Sequence, residues 1–170
     1  LEGTGLDQLF KDKDITNLVD YVFGVEVGLD SNARKNRSGH AMEATVERMI
    51  RECGLRYERE VESSKWEAIY KALGADIKRF DFVIYTQEKT YLIEVNFYSS
   101  GGSKLNEVAR SYTDLCPRVN AVPGFEFVWI TDGKGWEKAK NKLQEAFFSI
   151  PSIYNLSTLR GFLCHINNGI

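Results

Sequence analysis

The sequence predicts an α/β fold with α+β-like character, a central mixed β-sheet flanked by helices. Three observations carry that prediction. Two apolar runs, Phe80–Tyr85 and Tyr91–Phe97, enclose the polar turn Thr86-Gln87-Glu88-Lys89-Thr90, which is the pattern of a β-hairpin. Leu105, Val108, Ala109, Tyr112 and Leu115 then recur at helical spacing. A third apolar run, Phe125–Ile130, follows and reads as a fully buried strand. Strand, crossover helix and strand make a right-handed parallel unit, so hairpin and crossover together require a mixed sheet.

Each element has its own signal. Leu6, Leu9 and Phe10, then Ile15, Leu18, Val19, Val22 and Phe23, predict two short helices before Gly24. Gly28 to Gly39 is polar and reads as a loop, with Asn32, Asn36 and Ser38 interleaved among Arg34, Lys35 and Arg37. A helix is expected from about His40 to Cys53, its apolar face made of Met42, Val46, Met49, Ile50 and Cys53. Arg56–Val61 alternates weakly, as an edge strand does. Ser63–Gly74, with Trp66, Ile69, Tyr70 and Leu73, reads as a short amphipathic helix ended by its glycine. Pro117 is expected to stop the crossover helix. Thr131–Gly135 turns into a helix over Trp136–Phe148, which Pro151 breaks. Leu159, Phe162, Leu163 and Ile166 mark a last helix. Trp129 and Trp136 read as packing residues.

The totals bound the class. At 170 residues the chain is most simply one domain, 1–170. Its opening Leu1-Glu2-Gly3-Thr4 suits a trimmed chain, which leaves upstream domains open. The apolar fraction is 43%, with no run near the ~20 residues of a membrane span and no secretory signal. Three widely spaced cysteines without a CxxC point to reduced thiols and a cytoplasmic location. Two distant histidines argue against zinc. A net charge of −2 neither advertises nor excludes a nucleic-acid partner.

The chemistry gathers on the hairpin. Alternation sets Arg79, Asp81 and Val83 on one face of the first strand, with Phe80, Phe82 and Ile84 on the other. On the second strand Leu92, Glu94 and Asn96 share a face. Asp81, Glu94 and Asn96 therefore converge at one edge of an apolar sheet, where carboxylates persist only when paired or holding a metal. The small-residue loop Ser99-Ser100-Gly101-Gly102, leading to Ser103 and Lys104, opens a helix whose free N–H groups suit an anion. Two acids, an amide and an anion cradle point to a metal-dependent phosphodiesterase. The plainer reading is a structural Asp81–Arg79 pair with Asn96 capping a turn. Glu43 and Glu47, one helical turn apart, read either as a solvated flank with Glu47 paired to Arg51, or as a source of one further acid for the site.

Asp81, twelve intervening residues and Glu94-Val95-Asn96 resemble the PD-(D/E)xK nuclease signature, with asparagine where that motif has lysine. The run Ile93–Glu107 and the stretch Gly28–Gly39 are similar to the DpnII/MboI group of type II restriction endonucleases, a likeness that covers about residues 14 to 135. The resemblance implies a restriction-endonuclease-like PD-(D/E)xK core and a Mg²⁺-dependent endonuclease acting on double-stranded DNA. It implies the palindrome GATC as target, cut 5′ of the G, and Asp81, Glu94 and the Val95 carbonyl as metal ligands. Asn96 then holds a water, Glu43 assists, and Lys104 acts as a displaced lysine or, preferably, a phosphate clamp, with Arg79 a second phosphate contact. DNA contact is expected from Asn32, Arg34, Lys35, Asn36, Arg37, Ser103 and Lys104. A palindrome favours a C2 homodimer, with apolar strips at Leu18, Val22 and Phe23 or at Leu159, Phe162, Leu163 and Ile166 as candidate interfaces. Two alternatives stay open: a non-catalytic DNA-binding module on this scaffold, and a structure-specific repair nuclease.

Overall fold

The structure, a computed structural model, describes residues 31–74 and 77–167. From Ser38 onward the chain forms a compact unit. The expected early helices lie outside the described residues, as does the part of the single-domain expectation that covers them. Among the described residues five strands make one sheet in the order β1-β2-β3-β4-β5: β1 Arg56–Glu62, β2 Arg79–Tyr85, β3 Thr90–Phe97, β4 Phe125–Asp132 and β5 Ile153–Tyr154. The first three pair antiparallel, and β3, β4 and β5 pair parallel, so the sheet is mixed as predicted.

Helices cover both faces. On one face α1 (Ser31–Glu52) and α5 (Leu156–Asn167) enclose Phe82, Ile84, Ile93, Val95, Val128 and Ile130. On the other, α2 (Glu67–Ala72), α3 (Ser103–Asn120) and α4 (Lys140–Ser149) enclose Val83, Leu92, Phe127 and Trp129. The period-2 pattern of the strands sorts these side chains between the two layers. The α5 residues Leu159, Phe162, Leu163 and Ile166 are all buried against their own sheet. That strip is therefore core, and the expectation that it offers a dimer interface is corrected. Among the described residues no helix is long and apolar enough to cross a membrane.

Four local expectations need correction. The loop predicted through Gly39 is helical backbone from Ser31 onward. Met42, Val46 and Ile50 anchor the helix in the core, and Ala33, Arg34, Lys35 and Arg37 are adequate helix formers. The asparagines and Gly39 cost at most about 1 kcal/mol each, which does not stop a helix already held by packing. Pro117 does not stop α3, which runs three residues further. The proline is exposed and removes one backbone bond. Buried Val119 and the Arg118 Nε bond to the Ala72 carbonyl (2.9 Å) hold the last turn. The helix expected over Trp136–Phe148 is a 3-10 turn, Lys134–Lys138, followed by α4. Phe80 joins the cluster beneath α3 rather than Phe82 and Ile84, because the regular pleat is lost where β2 begins.

That loss of pleat has a visible cause. The β1–β2 ladder skips Glu60 opposite Asp81, and Glu60 has a positive φ of 50°. The β2–β3 ladder stops at Phe82 opposite Ile93. One further step of that register would set Asp81 opposite Glu94. Three carboxylates, Glu60, Asp81 and Glu94, thus fall in line across three strands, and like charges directly opposite are unfavourable. The sheet opens there.

Candidate active site

Opening the ladder frees the backbone of β3, and the Asp81 side chain takes its place. The Val95 N–H donates to Asp81 Oδ2 at 2.7 Å, a bond that a continuous hairpin would have given to a backbone carbonyl. In an extended strand one residue's N–H and C=O point to the same side, so the Val95 carbonyl faces the same gap. Burial pushes the half-buried Asp81 carboxyl upward, and the Val95 bond and the Lys78 charge oppose that rise.

Glu94 is 5% exposed. The Tyr112 hydroxyl, on α3, donates to its Oε2 at 2.5 Å. Lys78 Nζ stands 2.9 Å from Oε1, yet no donor is aligned on that oxygen in hydrogen-bond geometry. The Lys78 contact therefore acts on Glu94 first through its charge and, to a smaller extent, as an off-line hydrogen bond. Burial pushes the Glu94 carboxyl up to about 7, with Lys78 pulling down and the Asp81 charge pushing further up. The Tyr112 hydroxyl is raised strongly by burial and by Glu94. Tyr98, half-buried and within the field of Glu94, is pushed up to about 12.

Asn96 has a defined orientation. The Trp129 indole N–H donates to its Oδ1 at 3.0 Å, and an indole can only donate. The amide oxygen is thereby engaged and the NH₂ group is the end left to act. Trp129 is fully buried as expected, but it also sets this amide, a role that the sequence reading did not give it.

The loop between β3 and α3 is fixed by the turn after β4. The Gly135 N–H donates to the Tyr98 carbonyl at 2.8 Å, and the Tyr98 N–H donates to the Asp132 carbonyl at 3.0 Å. Gly133, at φ 113°, lies so close that an added Cβ would meet the Tyr98 oxygen at 2.2 Å. Only glycine permits that approach. Ser103 and Lys104 are exposed at the start of α3, where no side chain caps the first N–H groups.

Glu43 and Glu47 share Arg59, 3.5 Å from Glu43 and 2.9 Å from Glu47, but differ in the rest of their surroundings. Glu47 is held by Arg51 (2.7 Å), Arg59 (2.9 Å) and the Tyr57 hydroxyl (2.7 Å), the structural pairing with Arg51 that the plainer reading gives. Glu43 is half-buried, and its carboxyl is raised first by burial and then by the charge of Asp81. Glu43 is thus the helix acid that senses Asp81. Arg79 is exposed and lies 3.5 Å from Glu62, not on Asp81. The charged partner of the buried acid is instead Lys78. It precedes β2, outside any alternating run, so strand periodicity gave it no face. Asn32, Arg34, Lys35, Asn36 and Arg37 lie on α1, and their side chains fall outside the described positions.

Among the described residues no three of His, Cys, Asp and Glu cluster as a metal site of their own. The donors present are the carboxylates of Asp81 and Glu94, the latter with its Oε1 buried, and a strand carbonyl. That hard-oxygen set fits Mg²⁺, which keeps several waters and takes few protein ligands.

The DpnII restriction endonuclease family matches residues 1–165. The chain is 58% identical to the type II restriction enzyme MboI of Moraxella bovis over 99% of its length and 60% of that protein's. It is 47% identical to the type II restriction enzyme DpnII of Streptococcus pneumoniae, over 94% of this chain and 59% of that one. Against the type II restriction enzyme MjaIII of Methanocaldococcus jannaschii the identity is 46%, over 92% and 58%. The chain thus spans about three-fifths of the length of these relatives. With matches of this extent, the chain belongs to the DpnII restriction endonuclease family.

Proposed function

We propose that this chain is the catalytic part of a Mg²⁺-dependent type II restriction endonuclease that hydrolyses double-stranded DNA at GATC, 5′ of the G. The observation that carries this reading is the break in the hairpin ladder: Asp81 takes the Val95 N–H while Glu94 stays ionisable in a buried setting. A fold gains nothing from burying a carboxylate at that position unless a cation or proton is to meet it.

Asp81, Glu94 and the Val95 carbonyl would hold the metal. When bound, it supplies Lewis-acid neutralisation of the phosphodiester charge. The remaining steps fall to the chain. Tyr112 fixes one oxygen of Glu94, and Trp129 fixes the Asn96 amide with its N–H groups as donors. Asn96 cannot accept a proton through that end, so it orients a water or a phosphoryl oxygen rather than acting as base. Glu43 adds negative potential beside Asp81 and would assist the site as a further acid. Ser103 and Lys104, at the open start of α3, clamp a phosphate. Asn32, Arg34, Lys35, Asn36 and Arg37 contact the duplex. Two copies, each cutting one strand of the palindrome, assemble as a C2 homodimer in a cytoplasmic setting.

The test is incubation of plasmid with protein and Mg²⁺ and mapping of the ends. Cuts 5′ of G at GATC are expected, and Asp81→Ala or Glu94→Ala abolishes them while duplex binding survives. Cutting without regard to sequence would identify a structure-specific nuclease. Binding without cutting, equal with and without metal, would identify a non-catalytic module.

A further inference from the structure

The motif position held by lysine in the PD-(D/E)xK pattern is Asn96 here, and a neutral amide supplies only part of what an ammonium does. An ammonium offers both N–H donors and a positive charge. Asn96 retains the first, because its oxygen is tied to Trp129 and its NH₂ is turned the other way. It cannot supply the second.

The charge is present nearby. Lys78 Nζ lies 2.9 Å from Glu94 Oε1, over the rings of Phe80 and Tyr112 at 5.9 and 5.6 Å. Its backbone is pinned on both sides: the Lys78 N–H donates to Ser63 Oγ (2.9 Å) and the Ser63 N–H donates to the Lys78 carbonyl (2.7 Å). Among the described residues Lys78 is the only lysine or arginine that forms an ion pair with Glu94. The Lys78 side chain remains 32% exposed, while Glu94 is closed off. It therefore spans from the buried acid to the solvent side, from which a phosphate arrives.

We propose that Lys78 and Asn96 divide the work of the missing motif lysine, Lys78 supplying the cation that meets the scissile phosphate and Asn96 the fixed N–H donor. This rests on the nuclease reading above, and the test separates the two. Wild-type protein with a GATC duplex and Mg²⁺ must cut; if it does not, the nuclease reading fails first.

Given cutting, Lys78→Met is expected to slow single-turnover cleavage at least a hundredfold. Asn96→Asp, which keeps an oxygen for Trp129 and loses the donor, is expected to slow it similarly. The independent readout is duplex binding in EDTA. A Lys78 contact to phosphate contributes up to about 0.9 to the slope of log affinity against log salt, so Lys78→Met should lower that slope measurably. Asn96→Asp removes no cation and should leave the Lys78 share of the slope in place. Lys78→Gln keeps the apolar stem over Phe80 and Tyr112 and replaces the Met variant if the latter does not fold. Slow cleavage with an unchanged slope would reduce Lys78 to a structural partner of Glu94 and overturn the proposal. An altered slope with wild-type cleavage would overturn it as well.

Discussion

Replacing Glu94 by glutamine keeps the shape of a buried side chain and removes its proton equilibrium. Burial pushes the Glu94 carboxyl up to about 7 from an ordinary 4.5, against the pull of Lys78 and with the push of Asp81. That separation of about 2.5 pH units corresponds to about 3 kcal/mol. The folded chain holds this proton more tightly than the unfolded chain does. The stability that follows is fully present below about pH 4.5 and is lost as pH rises through 7. Glu94→Gln has no such loss. Urea unfolding of both proteins in EDTA, from pH 4 to pH 8.5, reads the change with pH of their stability difference. Any fixed effect of the amide on Tyr112 or Lys78 then cancels. The variant should gain about 3 kcal/mol on wild type across that range, about 1.5 M in urea midpoint at a slope of about 2 kcal/mol/M. A difference that stays flat within about 0.5 kcal/mol would refute the claim that Glu94 is buried as an ionisable group.

Two further outcomes follow from geometry away from the chemistry. Glu60→Gly should raise stability by about 1 kcal/mol, because φ 50° strains an L-residue and the change also removes a carboxylate beside Asp81; a loss in urea unfolding would instead give Glu60 a supporting role. Cys53 and Cys164 have sulfurs 3.9 Å apart, joining the end of α1 to α5, and Cys164 is exposed. Glutathione disulfide should exchange with Cys164, after which Cys53 displaces the glutathione and leaves an intramolecular disulfide with buried Cys116 still free. Mass spectrometry that finds a lasting glutathione adduct on Cys164 would refute this.

The sequence made the sheet legible because its strands are apolar enough for period and composition to agree. Val83 and Leu92 fall in one layer, Phe82 and Ile93 in the other, as strict alternation demands. The same logic located Asp81 and Glu94, since a carboxylate inside such a run stands out. Alternation fails at Phe80, where the ladder opens, and a rule built on a regular pleat has no means to foresee that opening. The first turns of α1 were hidden for a different reason. Polar composition reads as loop, whereas a helix anchored downstream by Met42, Val46 and Ile50 extends through polar residues at little cost.

Lys78, Tyr112 and Trp129 show what kind of information the chain order withholds. Tyr112 reads as a core residue on the apolar face of α3, and it is one, yet its hydroxyl needs an acceptor when buried and Glu94 is that acceptor. Trp129 reads as packing and is fully buried, but an indole N–H has the same need, and Asn96 meets it. In both cases the aromatic body is placed by hydrophobic pattern while its polar tip is placed by the register between β3 and its neighbours, which sets Glu94 beside Trp129. The site is therefore assembled from the polar ends of core residues. It follows that Asn96 is tolerated in the lysine position because the core already orients an amide there. An ammonium at 96 could not accept from Trp129 and would leave that buried indole N–H without a partner, at a cost of about 1–3 kcal/mol. The positive charge then has to come from outside the strand, and Lys78, held by Ser63 at the mouth of β2, is where the fold places it.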